Sequence, residues 1–162
     1  MTLMTDPEER YKLAHAIGYV DPKKASCVYD LQTRIGIVTY FGRLTPETTV
    51  TVYSWIAKAF VGLGVDQMLG GIFDFRLVTQ FDTANLSTVQ RTSGKLNTNF
   101  DFSAVPTAMI VSNPYQEQFL RVSMKITPQE QRKRIVKTED EALAFILSFR
   151  NSSEETSDVR LP

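Results

Sequence analysis

The chain has little with which to run metal or nucleophile chemistry: its 162 residues include one cysteine, Cys27, and one histidine, His15. A lone thiol makes no intramolecular disulfide and fits a reducing compartment. Cys27 lies between Ser26 and Val28 in a strand-like run, where a thiol serves as a small buried hydrophobe. His15 has no cysteine or second histidine with which to form a zinc set, so a structural or surface role is expected, with no metal or other cofactor. Charge of one sign is missing too. Eighteen Lys and Arg offset 18 Asp and Glu, leaving no global field that would draw the chain to nucleic acid or an anionic membrane. No apolar run approaches the ~20 residues that cross a bilayer, and the N-terminus lacks the basic patch and apolar stretch of a signal peptide. These absences lead to the expectation of a cytoplasmic protein with no nucleic-acid partner and no transmembrane association.

What is present suits one compact domain. Hydrophobic residues make up 43% and charged residues 22%, near the globular average, and the length allows a core of ~100–130 residues. Residues 1–24 carry the turn signals Asp6-Pro7 and Asp21-Pro22 and read as an N-terminal extension. Residues 151–162 are polar enough to be expected as a disordered tail. The domain is placed at 25–150.

Inside it, strand and helix patterns alternate. Ala25–Leu31 and Ile35–Phe41 read as a hairpin around Gln32-Thr33-Arg34. Thr45-Pro46-Glu47 is a helix start, followed by the apolar stripe Val52, Ile56, Phe60 and Leu63 and by Gly62 and Gly64 at its end. Gly71–Phe75 is the next strand, and Leu86, Val89, Ser93 and Leu96 suggest a second helix. Thr107–Val111 is a short apolar strand closed by Asn113-Pro114. Tyr115, Phe119, Val122 and Ile126 then form the stripe of a third helix. Arg132–Val136 is the last strand, and Thr138 with Glu141 makes a capping box before a helix faced by Ala142, Phe145, Ile146 and Phe149. The order ββαβαβαβα predicts an α/β domain with a mostly parallel mixed sheet and helices packed on it.

Enzyme templates fit poorly. Gly62-x-Gly64 lacks a third glycine and follows a helix instead of a strand, and no Gly-x-Ser-x-Gly elbow occurs. Asp74 and Asp82 would need a shared cleft for acid–base work, and nothing around them specifies a substrate. A non-enzymatic role is expected.

The most informative stretch is Gly71 to Leu86, where a buried strand leads through Val78-Thr79 to Asp82-Thr83-Ala84-Asn85-Leu86 at a helix start. An Asp there caps orphan backbone N–H groups and meets the positive end of the helix dipole. The strand, the Val-Thr pair, and an Asp-Thr-x-x-Leu helix start resemble the signature of STAS domains, the anti-sigma-factor antagonist family. Over residues 25–150 the element order also matches that family's fold. Thr79–Leu86, Tyr115-Gln116-Glu117-Gln118 and Glu141-Ala142-Leu143 look like its divergent SpoIIAA-like branch, which is related in fold to the lipid-binding CRAL-TRIO domains. The resemblance implies that Asp82 matches the motif's acid and Thr83 its phosphoacceptor, modified by a partner kinase to switch partner binding. The family's next two positions, Ser and Gly, are here Ala84 and Asn85.

Two other features stand out. Arg132, Lys133, Arg134 and Lys137 cluster near the last strand as candidate contacts for phosphates or anionic headgroups, or as a solvated strand end guarded against aggregation. Trp55 falls off the Val52/Ile56/Phe60 stripe and is expected to be exposed, as an interface anchor. The expectation is a signalling or regulatory module that binds a protein partner, a kinase or regulator, through Asp82, Thr83, Ala84, Asn85, Leu86 and Trp55, with a homodimer as one form. The alternative is a carrier or sensor of a small apolar or anionic ligand, which needs a pocket of ~300 Å³ or more between helices and sheet.

Overall fold

The fold follows from two periodicities, and a computed structural model describes it for residues 17–158. His15 and most of the N-terminal extension lie outside the described residues. Strands β1 (Ala25–Asp30) and β2 (Ile35–Tyr40) form the expected antiparallel hairpin. Asp30 ties its turn by accepting the backbone N–H groups of Gln32 at 2.9 Å and Thr33 at 3.3 Å. Strand β2 then runs parallel to β4 (Gly70–Asp74), β4 to β6 (Thr107–Ile110), and β6 to β7 (Lys133–Val136). The result is a five-stranded mixed sheet in the order β1-β2-β4-β6-β7. A separate parallel pair joins β3 (Gly42–Leu44) to β5 (Val78–Phe81), two short strands that periodicity in so few residues does not reveal.

Four helices complete the fold among the described residues: α1 (Pro46–Leu63), α2 (Asn85–Asn99), α3 (Pro114–Ile126) and α4 (Glu139–Asp158). Three of the starts are legible in sequence. Thr45 caps α1 with Pro46 in its first turn, Asn113 caps α3 by accepting the Gln116 N–H at 2.9 Å, and Thr138 accepts the Glu141 N–H at 3.1 Å ahead of α4. Gly64, at φ +86°, ends α1 and donates its N–H to the Phe60 carbonyl at 2.9 Å. Helix α4 continues through residues 151–158, part of the stretch whose polarity suggests a disordered tail. That stretch carries no glycine or proline before Leu161 to stop the helix.

The strand order advances in one direction from β2 to β7, so right-handed crossovers lay every connecting helix on the same face of the sheet. The core divides accordingly. Val38, Tyr40, Phe75 and Met109 point to the face covered by α1, α2 and α3. Ile35, Ile72, Ala108, Ile110 and Val136 point to the other, which among the described residues is covered by Ala142, Leu143, Phe145 and Ile146 of α4. Helix α4 lies close: a Cβ on Gly70 would come within 2.7 Å of the Ile146 side chain.

Helix phase departs from expectation twice. Helix α1 buries Thr48, Thr49, Val52, Trp55, Ala59 and Phe60. This arc keeps Val52 and Phe60 of the predicted stripe and widens it to Trp55 and Ala59, while Ile56 and Leu63 pack at its edge. Trp55, expected outside, is 3% exposed in the core and is not a surface anchor. Helix α3 buries Gln116 and Leu120 and leaves Tyr115 and Val122 exposed, because the buried amide of Gln116 finds its hydrogen-bond partners within the fold.

Candidate functional site

Strand β5 ends at Phe81, and the chain turns before α2. Asp82 donates its N–H to the Leu44 carbonyl at 3.0 Å, while its Oδ1 accepts the Ala84 N–H at 3.1 Å and its backbone carbonyl accepts the Asn85 N–H at 2.9 Å. Helix α2 therefore begins two residues later than expected, and Asp82 closes a turn ahead of the helix. Its Oδ2 pairs with Arg43 Nη2 at 3.0 Å. Thr83 and Ala84 are exposed at the tip of this turn and Leu86 is half-buried, but Asn85 is completely buried. Of the expected partner-binding residues, Asn85 and Trp55 are thus unavailable to a partner: the first turn of α2 and the phase of α1 point them into the interior.

The turn has apolar company. Tyr115 is 49% exposed and packs on Phe81 with ring centroids 5.5 Å apart, and its phenol oxygen accepts the Phe81 N–H at 3.0 Å. Leu77, between β4 and β5, is 57% exposed. Asp74 and Asp82, the candidate acid–base pair, are each held by a different arginine. Asp74 is held by the Arg76 side chain through two hydrogen bonds, at 3.0 and 2.8 Å, and Asp82 by Arg43. Among the described residues no group of three or more His, Cys, Asp and Glu could hold a metal ion.

The four basic residues do not form one patch. Strand alternation divides them. Arg134 lies over the Phe145 ring, 4.6 Å from its centroid, on the α4 face. Lys137 pairs with Glu117 at 3.0 Å. Arg132 is 7% exposed and turned inward, where Nη1 donates to the Val105 carbonyl at 3.1 Å and the Thr107 hydroxyl at 2.8 Å, and Nε to Gln129 Oε1 at 2.9 Å. Lys133 is half-buried beside it and donates Nζ to the Thr127 hydroxyl at 2.8 Å. Burial pulls the Arg132 guanidinium below its usual range. Burial and then the neighbouring Arg132 push the Lys133 ammonium down to about 8.

Arg132 and Lys133 border a cavity of about 130 Å³ between the sheet and α1, α2 and α3. Its floor is made by strand register. Gly36 of β2, Gly71 of β4, Thr107 of β6 and Lys133 of β7 stand side by side in one row, and Val38, Phe73 and Met109 form the next row on the same face. Tyr53, Asn85, Ser93 and Asn97 line it from the helices. Burial raises the Tyr53 phenol, with the nearby Arg132 charge and a Ser93 hydrogen bond acting against it. Among the described residues neither amide atom of Asn85 has a hydrogen-bond partner. Sequence reasoning missed this cavity. Its only legible trace is glycine at the same strand position in β2 and β4, a sign that space is needed there.

No family model matches the chain, and no curated protein matches it. Solved structures do. An uncharacterised protein of the DUF3478 family from Shewanella loihica PV-4, described as having a SpoIIAA-like fold, superposes with a TM-score of 0.57 at 15% identity, over 79% of this chain and 98% of that one. The fold is SpoIIAA-like. The protein TM1081 gives a TM-score of 0.53 at 14% identity, over 80% of this chain and 91% of its own. The anti-sigma factor antagonist SpoIIAA in its unphosphorylated form gives 0.44 at 13%, over 67% and 84%. The expected SpoIIAA-like α/β architecture is therefore present, and at these identities the likeness concerns the fold.

Proposed function

We propose that this SpoIIAA-like chain is a non-enzymatic regulatory module that docks a protein partner through the turn before α2. The supporting observation is the exposure of Thr83 and Ala84 at the tip of that turn, with the exposed side chains of Leu77 and Tyr115 on neighbouring segments. A phosphate on Thr83 adds about −1.5 to −2 charges next to Asp82. Arg43, already paired with Asp82, is the cation at hand to answer it, so the added charge breaks the Asp82–Arg43 arrangement, repels an acidic partner surface and costs desolvation against an apolar one. Co-purification from the native host tests this with wild type and Thr83→Glu. A protein retained by the wild type and lost with Thr83→Glu is expected, a second copy of the chain included. The same proteins on both forms would sink the switch.

A second reading, a carrier or sensor of a small ligand, draws on the cavity under α2 and its basic edge. At about 130 Å³ the cavity is smaller than the ~300 Å³ expected of a carrier and restricts the ligand to a small body. That reading rests on the cavity, not on kinship to CRAL-TRIO domains. Asn85 links the two places in the fold without serving the partner surface: it follows the exposed turn directly but is buried and lines the cavity.

A further inference from the structure

Two neighbouring cations, Arg132 and Lys133, border one largely apolar cavity, and among the described residues no carboxylate lies within ion-pair distance of either. Buried charge is ordinarily paired, so an arginine that is 7% exposed without an acid is an unusual arrangement. Neutral acceptors instead hold it in place. Gln129, Val105 and Thr107 take Nε and Nη1, so that among the described residues Nη2 has no hydrogen-bond partner, and Thr127 takes one of the three Lys133 donors. With its guanidinium also 5.7 Å from the Phe102 ring centroid, Arg132 is held at the cavity edge with donors to spare, and so is Lys133.

The space beside them is built for an apolar body. Gly36 and Gly71 lie next to each other in register, and a Cβ on either would meet no atom nearer than 3.6 Å and 3.8 Å, respectively. Val38, Phe73 and Met109 continue this floor. Asn85, 0% exposed with both amide atoms unpartnered among the described residues, is a second polar group at the cavity wall. An apolar cavity of about 150 Å³ holds benzene, so about 130 Å³ here admits a body of roughly six carbons.

We propose that this cavity binds a small anionic amphiphile, with a carboxylate or phosphate-monoester head at Arg132 and Lys133 and its apolar body over Gly36 and Gly71. The proposal rests on the ligand reading above and goes beyond it by assigning the head chemistry and its contacts.

Trp55 is the chain's one tryptophan and lines the cavity, so its fluorescence reports occupancy. The full chain is titrated with hexanoate, hexyl phosphate, 1-hexanol and inorganic phosphate, with calorimetry as the second readout. At least one of the two amphiphilic anions is expected to bind with a Kd about tenfold or more below that of 1-hexanol, and the tighter one identifies the head. Lys133→Met should raise that Kd at least about tenfold and leave the alcohol unchanged. Gly71→Val, shown to be folded by its melting curve, should abolish binding. Equal affinity for alcohol and anions, or an unchanged Kd in either variant, would overturn the proposal. Binding of 1-hexanol alone overturns the anionic head and leaves the ligand reading standing, whereas no binding by any probe removes both. Inorganic phosphate binding as tightly as hexyl phosphate would overturn the role of the apolar body.

Discussion

Lys133 carries a charge that the fold disfavours, and this makes its protonation readable as stability. Its ammonium titrates at about 8 in the folded chain against an ordinary 10.5, so between those values the unfolded chain binds the extra proton. Stability therefore climbs as pH rises through this window, and below pH 8 the charge is present in both states. The full shift corresponds to about 3 kcal/mol, and with the side chain only half-buried about 1–2 kcal/mol is expected. Burial of Cys27, whose thiol is pushed up to about 12, and of Tyr40 works in the opposite direction at higher pH. Those groups are common to wild type and Lys133→Met, so the difference between the two isolates the lysine. Urea denaturation from about pH 7 to 10.5 should show Lys133→Met the more stable at neutral pH, with the gap closing by pH 10.5. Parallel profiles would contradict it. The sequence places Arg132 and Lys133 in a basic cluster, but not their orientation. One residue of slip separates Lys133, at the cavity, from Arg134, over Phe145, and single-residue phase is what a four-residue strand leaves undetermined.

Between elements, Gln116 joins α3 to β5 and to the loop after β6. Its Oε1 accepts the Ser112 N–H at 2.7 Å, and its Nε2 donates to the carbonyls of Val78 at 3.0 Å and Arg76 at 3.3 Å. The side chain is 1% exposed, so no water replaces it cheaply. Gln116→Leu strands the buried Val78 carbonyl and leaves the Ser112 N–H, on an exposed residue, to solvent, and a loss of roughly 1–3 kcal/mol is expected. Urea denaturation checks the value, and a loss below about 0.5 kcal/mol would show that solvent satisfies those groups. This bridge explains an error of phase. The apolar stripe Tyr115/Phe119/Val122/Ile126 is the stronger sequence signal for α3, yet the helix turns Gln116 inward because β5 needs hydrogen-bond partners there. Helix existence and capping are legible in Thr45-Pro46, Asn113-Pro114 and Thr138/Glu141, where the relevant atoms are local. The start of α2 is legible only to within two residues: Asp82 answers to Leu44 and Arg43, far earlier in the chain, as well as to its own helix.

Across the whole molecule, one sheet serves two unequal cores. Among the described residues three helices cover one face and α4 covers the other, because all the crossovers lie on one side and the segment after the last strand is free to return over the second. This much is legible in the alternating order ββαβαβαβα. The cavity is not, since it arises where residues from several strands and three helices fail to fill the space between them. The division also has an energetic consequence. Leu120 on α3 and Ile146 on α4 are 3% and 1% exposed and belong to different clusters on opposite sides of the sheet. Leu120→Ala should cost about 2–5 kcal/mol and Ile146→Val about 0.5–1.5 kcal/mol. With the sheet between them and no shared side-chain cluster, the double variant should lose the sum to within about 0.5 kcal/mol. Both losses should still appear in a single unfolding transition followed by fluorescence and circular dichroism, because each core is built on the same strands and neither face can be stripped without exposing the sheet's other half. A coupling above about 1 kcal/mol would mean that strain passes through the sheet from one face to the other. Two separate transitions would mean that α4 docks as an independent unit.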